Sequence, residues 1–335
     1  MGRLRLTRSE ILAFRHAASG LGRRVAIGPR ALADAARAGL TDSMPRAAVL
    51  SLRARLDDTP AAVLDDPALV QIWGPRFSAY VVTESDAPIF TVGRHPESSA
   101  GRRRAEEMAA ALISLGEDVV DSEEASRAVG IHPNAFRHAT TTGMLRIHWD
   151  GARRPTIRLV PRPDIDPVDA RRELVRRYLG VFGPGTPEGF SAWAGLRPAS
   201  AQRAFDDMAS EILAVDTPIG GGWVLWSDEE RARSTPEPTD TVRLLPSGDV
   251  WYLLWGRDRE LVVPDPDRRP RLWTSRVWPG AVVVGTEVVG TWRRSGRRVE
   301  VESWEPLDDA VRDAVMTEAG GFPLPDPGET TVRWV

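Results

Sequence analysis

The sequence predicts an α+β protein assembled from repeated helix-turn-helix units, each closed by a β-hairpin, and followed by a strand-rich C-terminal region. Three observations carry this. Helical segments rich in Ala, Arg, Glu and Leu alternate with short β-like pairs up to about residue 240. From 241 to 305 the chain changes to Val- and Trp-rich strands punctuated by Gly and Pro. The 12 tryptophans follow the same divide: Trp73 and Trp149 stand alone in the first half, whereas Trp251, Trp255, Trp273, Trp278, Trp292 and Trp304 crowd the late stretch.

Composition bounds what such a protein does. A length of 335 residues suits two to four domains at roughly 100 to 200 residues each. The hydrophobic fraction of 42% and charged fraction of 27% are those of a globular protein. No apolar run approaches the roughly 20 residues of a bilayer span, and the start MGRLRLTRSE lacks the apolar stretch of a secretory signal, so a cytoplasmic protein without membrane contact is expected. The absence of cysteine excludes disulfides, thiol nucleophiles and Cys-ligated zinc. Net charge is -3 and every fixed cation is an arginine, since the chain contains no lysine. A GC-rich genome produces that replacement, so only local clustering of arginines is informative.

Taken in order, helices are expected near 8 to 19, 29 to 38 and 45 to 56, followed by an apolar strand run, SAYVV, at 78 to 82. This is the least regular of three copies of the unit. The second copy is the clearest. A short helix opens after Asp121 or Ser122 as N-cap and closes at Gly130, and another follows with Pro133 in its first turn and Gly143 past its end. Two helices across a tight Gly-containing turn are a helix-turn-helix. The β-rich segments 144 to 149 and 156 to 160 then flank Asp150-Gly151, a hairpin signal, which completes a winged helix. In the third copy, Thr186 caps a helix ending near Gly195, Ser200 or a neighbour starts the next, and strands at 212 to 216 and 223 to 226 flank Gly220-Gly221-Gly222. A boundary is placed at 234 to 238, the Ser-Thr-Pro-Glu-Pro run.

Basic residues cluster in the second unit. Between 127 and 162, Arg127, Arg137, Arg146, Arg153, Arg154, Arg158 and Arg162 face the single acid Asp150. His132, Asn134, Arg137 and His138 lie on or at the start of the recognition helix, and Arg153 and Arg154 lie at the tip of the wing. Helix and wing would straddle a groove of double-stranded DNA; the alternative is the solvated face of a protein-binding winged helix. The runs GRRRAEE at 101 to 107 and RRSGRR at 293 to 298 would add phosphate contacts, which position a protein without reading sequence.

Signatures of other chemistry are missing. The five histidines make no H-E-x-x-H motif, so no metal is expected. There is no G-x-S-x-G and no P-loop, and VGTEVVG lacks the strand-turn-helix setting of a dinucleotide site. No cofactor is expected. One stretch stands out: AGLTDSMPRAA, 38 to 48, places Thr41-Asp42-Ser43 between a helix ending near Gly39 and one begun by Pro45. Ser43 as helix N-cap explains part of that polar seam.

Four segments together, AARAGLTDSMPRAAVLSLRARL (35 to 56), LVQIWGPRFSAYVVTESDAPIF (69 to 90), LLPSGDVWYLLWGRDRELVVP (244 to 264) and WPGAVVVGTEVVGTWRR (278 to 294), resemble the AlkZ-like winged-helix DNA glycosylases. The resemblance runs over nearly the whole chain in the right order. It implies three tandem winged-helix domains around a DNA-binding channel plus a small C-terminal β-barrel, divided as 1–100, 101–165, 166–240 and 241–306, with a C-terminal helix and tail at 307–335. It implies hydrolysis of the N-glycosidic bond of alkylated purines by a monomer acting on duplex DNA. A Gln-x-Gln or Gln-x-Asp motif holds the catalytic water in that family, and its frame falls here on Thr41, Asp42 and Ser43, so Asp42 is the expected base with both hydroxyls assisting. A family arginine followed by a strand ending in histidine matches Arg76 and, with tyrosine substituted, Tyr80; both are expected at the DNA. The changed side chains leave a non-catalytic DNA-binding protein as the alternative.

Overall fold

The structure, a computed structural model, describes residues 4–44, 46–151, 154–238, 241–325 and 328–335. Among these residues the strands form three sheets. The largest contains β2 (Leu40–Thr41), β3 (Leu69–Trp73), β4 (Ala79–Thr83), β5 (Val119–Asp121), β6 (Leu145–His148) and β7 (Thr156–Leu159), in the order β2-β4-β3-β6-β7-β5. The expected first and second units therefore share one sheet, joined where β3 meets β6 at Gln71 and Ile147. A smaller sheet joins β1 (Leu4–Arg5) in parallel to β8 (Ile212–Thr217), which pairs antiparallel with β9 (Gly220–Leu225). The N-terminal strand thus extends the β8–β9 hairpin.

Local signals act where the sequence places them. Asp121 caps the helix Ser122–Val129 by accepting from the amides of Glu123 and Glu124, and Gly130 ends it in the left-handed conformation. Proline 133 opens the next segment, Pro133–Thr142, which is a 3-10 helix closed by left-handed Gly143. Thr186 caps Pro187–Ala194, which ends at left-handed Gly195. The glycine triplet 220–222 differs from expectation: it lies inside β9, not between strands. A Cβ on Gly222 would come within 3.2 Å of Pro184, so the small residue lets this strand lie against 184–185, where Gly185 and Trp223 exchange backbone hydrogen bonds.

The expected β-barrel is corrected to an open sheet. Among the described residues, β10 (Val242–Leu245), β11 (Gly280–Val284), β12 (Glu287–Ser295), β13 (Arg298–Ser303) and β14 (Thr331–Trp334) follow one another in that order, and β10 does not pair with β14. The physical reason is the helix Asp309–Gly320, whose Val315 and Ala319 pack with Leu244, Val282, Trp292 and Val299. A sheet whose apolar face is covered by a helix already has its second layer. Strand β14, from the expected tail, extends this sheet parallel to β13.

The main core crosses the units. It contains Ile72 and Tyr80 from the large sheet, Leu174 and Tyr178 from the helix Pro167–Phe182, and Trp251 and Tyr252 from the C-terminal region. At its centre the Trp193 ring lies 5.5 Å from Tyr178, 5.7 Å from Phe182 and 6.4 Å from Phe90, within the range of favourable aromatic pairing.

Candidate active site and nucleic-acid interface

Strand pleating assigns different surroundings to Thr41, Asp42 and Ser43. Leu40 pairs with Val81 and Thr41 with Tyr80, and the Asp42 amide donates to the Ala79 carbonyl at 2.8 Å, so the chain stays extended through Asp42. Successive residues of such a segment point to opposite faces. Asp42 shares a face with Gln71, which is opposite Val81 on β3. Its Oδ2 accepts from Gln71 Nε2 at 2.7 Å, and its Oδ1 accepts from the amide of Ala48 at 3.1 Å. Ala48 lies in the first turn of the helix Ala47–Arg55. Asp42, rather than the expected Ser43, therefore satisfies a free amide of that helix, because the helix begins later than Pro45 would start it; position 45 itself lies outside the described residues.

Asp42 is only 4% exposed, yet it lines a cavity of about 650 Å³ with Arg46, Gln71, Arg146, Trp149 and Arg158. Burial pushes its carboxyl up from the ordinary 3.8 to about 6, against the Ala48 amide, the Gln71 amide and the Arg46 charge, which pull it down. A carboxylate that titrates near neutrality beside a cavity suits a general base.

The flanking hydroxyls differ. Thr41 is buried and its Oγ1 donates to the Gly248 carbonyl at 2.9 Å. A Cβ on Gly248, whose φ is +73°, would sit 2.7 Å from that oxygen, so only glycine allows the approach. The Gly248 loop is anchored from behind: buried Asp249 accepts two bonds from Arg55, at 2.8 and 2.9 Å, and one from Ser51 at 2.7 Å. Thr41 is thus part of the scaffold, and its proton is already used. Ser43 is exposed and lines a second cavity, about 730 Å³, with Trp73, Phe77, Arg137, Trp149 and Arg154.

Two of the expected DNA contacts, Arg137 and Arg154, line that second cavity. Arg137 lies 6.0 Å over the Trp73 ring, and burial and then the nearby Arg154 charge pull its guanidinium below the ordinary arginine pKa. His138 meets Phe77 edge-on at 5.2 Å, and burial and then the Arg104 charge hold its imidazole below the ordinary histidine pKa. Exposed Arg76 is stacked 4.9 Å over Trp255. Arg76 and Phe77 both have left-handed backbones, with φ of 57° and 59°, a strain of about 1–3 kcal/mol each that surrounding structure must hold. Arg94 supplies part of that support: it is buried, donates to the carbonyls of Trp73 and Ala194, and lies 4.9 Å over the Phe77 ring.

Other expected residues are placed differently. Tyr80 is 2% exposed in the main core, so it cannot face DNA; β4 is buried throughout because β2 and β3 flank it and both its faces are covered. His132 and Asn134 are exposed, but His132 Nδ1 accepts from the Asn134 amide at 3.2 Å as a helix cap. Arg146 is buried against Glu84 at 2.6 Å and leaves the basic cluster. Arg154 is exposed, 3.3 Å from Glu123; Arg153 lies outside the described residues. Sequence reasoning missed Gln71, Arg94 and Asp249, whose only signal was a polar or charged residue inside an apolar stretch. No cluster of three or more His, Asp or Glu positioned to hold a metal ion is found among the described residues, and none of their helices is long and apolar enough to cross a membrane.

The profile of the family described as DNA glycosylase AlkZ-like matches residues 33–322. An interstrand DNA cross-link repair glycosylase of Streptomyces sahachiroi is 30% identical over 164 residues, which span 48% of this chain and 43% of that relative, less than half of its length. The solved structure of the Streptomyces sahachiroi DNA glycosylase AlkZ superposes with a TM-score of 0.78 over 99% of this chain and 100% of that one, at 20% identity. That likeness shows a shared mixed α/β fold.

Proposed function

The chain belongs to the AlkZ-like DNA glycosylase family, and from that premise we propose that it hydrolyses the N-glycosidic bond of cationic alkylpurines in duplex DNA. The substrate class is N7-alkylguanine, including the linked guanines of interstrand crosslinks. It would act as a cytoplasmic monomer without a cofactor, on a scaffold of three winged-helix units.

The observation that carries this reading is Asp42: a nearly buried carboxylate held by two donors on a cavity wall, with its carboxyl raised to about 6. N7 alkylation makes the purine a cation, so the C1′–N9 bond breaks with its electron pair passing to the base, which departs neutral. Water bonds to C1′ as its proton passes to Asp42 Oδ, leaving an abasic sugar and free alkylguanine. The enzyme then needs chiefly to place one water, remove one proton and favour the oxocarbenium-like sugar, which the carboxylate does by charge. Ser43 is the hydroxyl that remains exposed to the DNA side, while Thr41 secures the loop behind it. Arg76, Arg137 and Arg154 would hold phosphates, and Arg153, next to Arg154 in the sequence, would add to them.

Single-turnover release of 7-alkylguanine from alkylated duplex tests this. Wild type should release base, and Asp42→Asn should be slower by about 100-fold or more. Background release by both proteins while DNA binding persists would leave the non-catalytic lesion-binding reading, which the short side chains of Thr41 and Ser43 favour.

A further inference from the structure

Gln71 holds more than Asp42. Its Nε2 donates to Asp42 Oδ2 at 2.7 Å and to the Trp149 carbonyl at 3.1 Å, while its Oε1 accepts from the Trp149 amide at 2.7 Å. Trp149 follows β6 at the base of the hairpin that carries Arg154. The carboxamide therefore continues the β3–β6 ladder by one step after Gln71 and Ile147. Its orientation has one solution. A flipped amide would set an oxygen against the Asp42 carboxylate and the Trp149 carbonyl, and an NH2 against the Trp149 N–H. No other side chain offers two donors and an acceptor in that plane at that length.

Resting on the glycosylase reading above, we infer that Gln71 is a positioning residue: its carboxamide fastens the Asp42 carboxylate to the β6–β7 hairpin, so that the reacting group and the DNA-facing wing are held as one unit. Without that carboxamide the carboxylate loses one of the two bonds that favour its charged form. The other charged or titratable side chains lining that cavity are Arg46 before the helix Ala47–Arg55, Asp65, Arg146 and His148 on β6, Asp150 in the hairpin and Arg158 on β7.

The test compares wild type with Gln71→Leu and with the isosteric Gln71→Glu, all in a His148→Asn background so that the cavity imidazole does not contribute. Single-turnover release of 7-alkylguanine is followed from about pH 5 to pH 9. Loss of one charge-assisted hydrogen bond moves the acid limb up by about one pH unit, so Gln71→Leu should be slower by about 5-fold at pH 6, about 2-fold at pH 7 and little above pH 8. Gln71→Glu, which places an anion against Asp42, should shift further. Backbone exchange at Trp149 should quicken in Gln71→Leu and stay slow in Gln71→Glu, whose carboxylate still accepts that amide. A merely structural role would lower the rate equally at every pH; that result, or an unmoved limb in both variants, overturns the inference. Carbon-13 titration of the Asp42 carboxyl without DNA reads the same shift. If wild type releases no alkylguanine at all, the glycosylase reading fails, and the carboxyl titration alone decides whether Gln71 sets Asp42.

Discussion

Replacing Asp42 by Asn should change stability with pH in a way that isolates the buried charge. In the fold this carboxyl titrates at about 6 against an ordinary 3.8. The folded state therefore holds its proton more tightly than the unfolded chain, so the group's stabilising contribution is complete below 3.8 and is lost as pH rises through 6. At about 1.36 kcal/mol per unit, ionisation of Asp42 costs the fold about 3 kcal/mol by pH 8, of which about 2 kcal/mol accrues above about pH 4.5. Asparagine has no such term. It does introduce a mismatch, since Gln71 presents an NH2 and the Ala48 amide is also a donor, leaving one donor facing the Asn NH2; that cost of about 1–3 kcal/mol is the same at every pH. Urea unfolding of both proteins across this range should therefore give a difference that moves in favour of Asp42→Asn by about 2 kcal/mol between about pH 4.5 and pH 8. A difference that is flat, or that moves in favour of wild type with rising pH, would refute a raised Asp42 carboxyl and with it the case for a neutral-pH base.

Arg55→Met should cost about 3–5 kcal/mol in urea unfolding, because it strands the fully buried Asp249 without a counter-charge; a loss below about 1 kcal/mol would contradict the anchoring of the Gly248 loop. Thr41→Val keeps the shape and removes the bond to Gly248, so stability should fall by about 1–2 kcal/mol while single-turnover release retains its pH profile. A shifted acid limb would return Thr41 to the chemistry. Arg154→Ala should weaken DNA binding about equally for all sequences and reduce the salt slope by about 1 in a titration series. Tyr80→Phe, buried in the core, should leave DNA affinity unchanged, and a loss above about 10-fold would show that β4 opens on binding.

What was legible in the chain was local. Asp121, Gly130, Pro133 and Gly143 each act within one turn of where they stand, and short-range capping physics reads them directly. The Thr41-Asp42-Ser43 segment was legible as a frame, but the different surroundings of its three side chains were not. Asp42 meets Gln71 across 29 positions, and Thr41 meets Gly248 across 207. No periodicity or capping signal spans such separations. Tyr80 misled for a related reason: β4 has no polar alternation to mark an exposed face, and its burial comes from elements distant in sequence. The C-terminal strands were visible, but whether they closed depended on the helix Asp309–Gly320, which supplies the covering layer from further along the chain.

The parallel pairing of β1 with β8 has a consequence for how the protein is made. During synthesis the first strand leaves the ribosome long before its neighbour exists, and domains normally fold in order as they emerge. Here Leu4 must wait for Val215, and Arg5 for Asp216. Strand β1 therefore stays unpaired through most of translation, until β8 has been made. A fragment cut between β1 and β8 would leave β8 without its parallel neighbour, so the two strands must be made in one chain for this edge of the sheet to close.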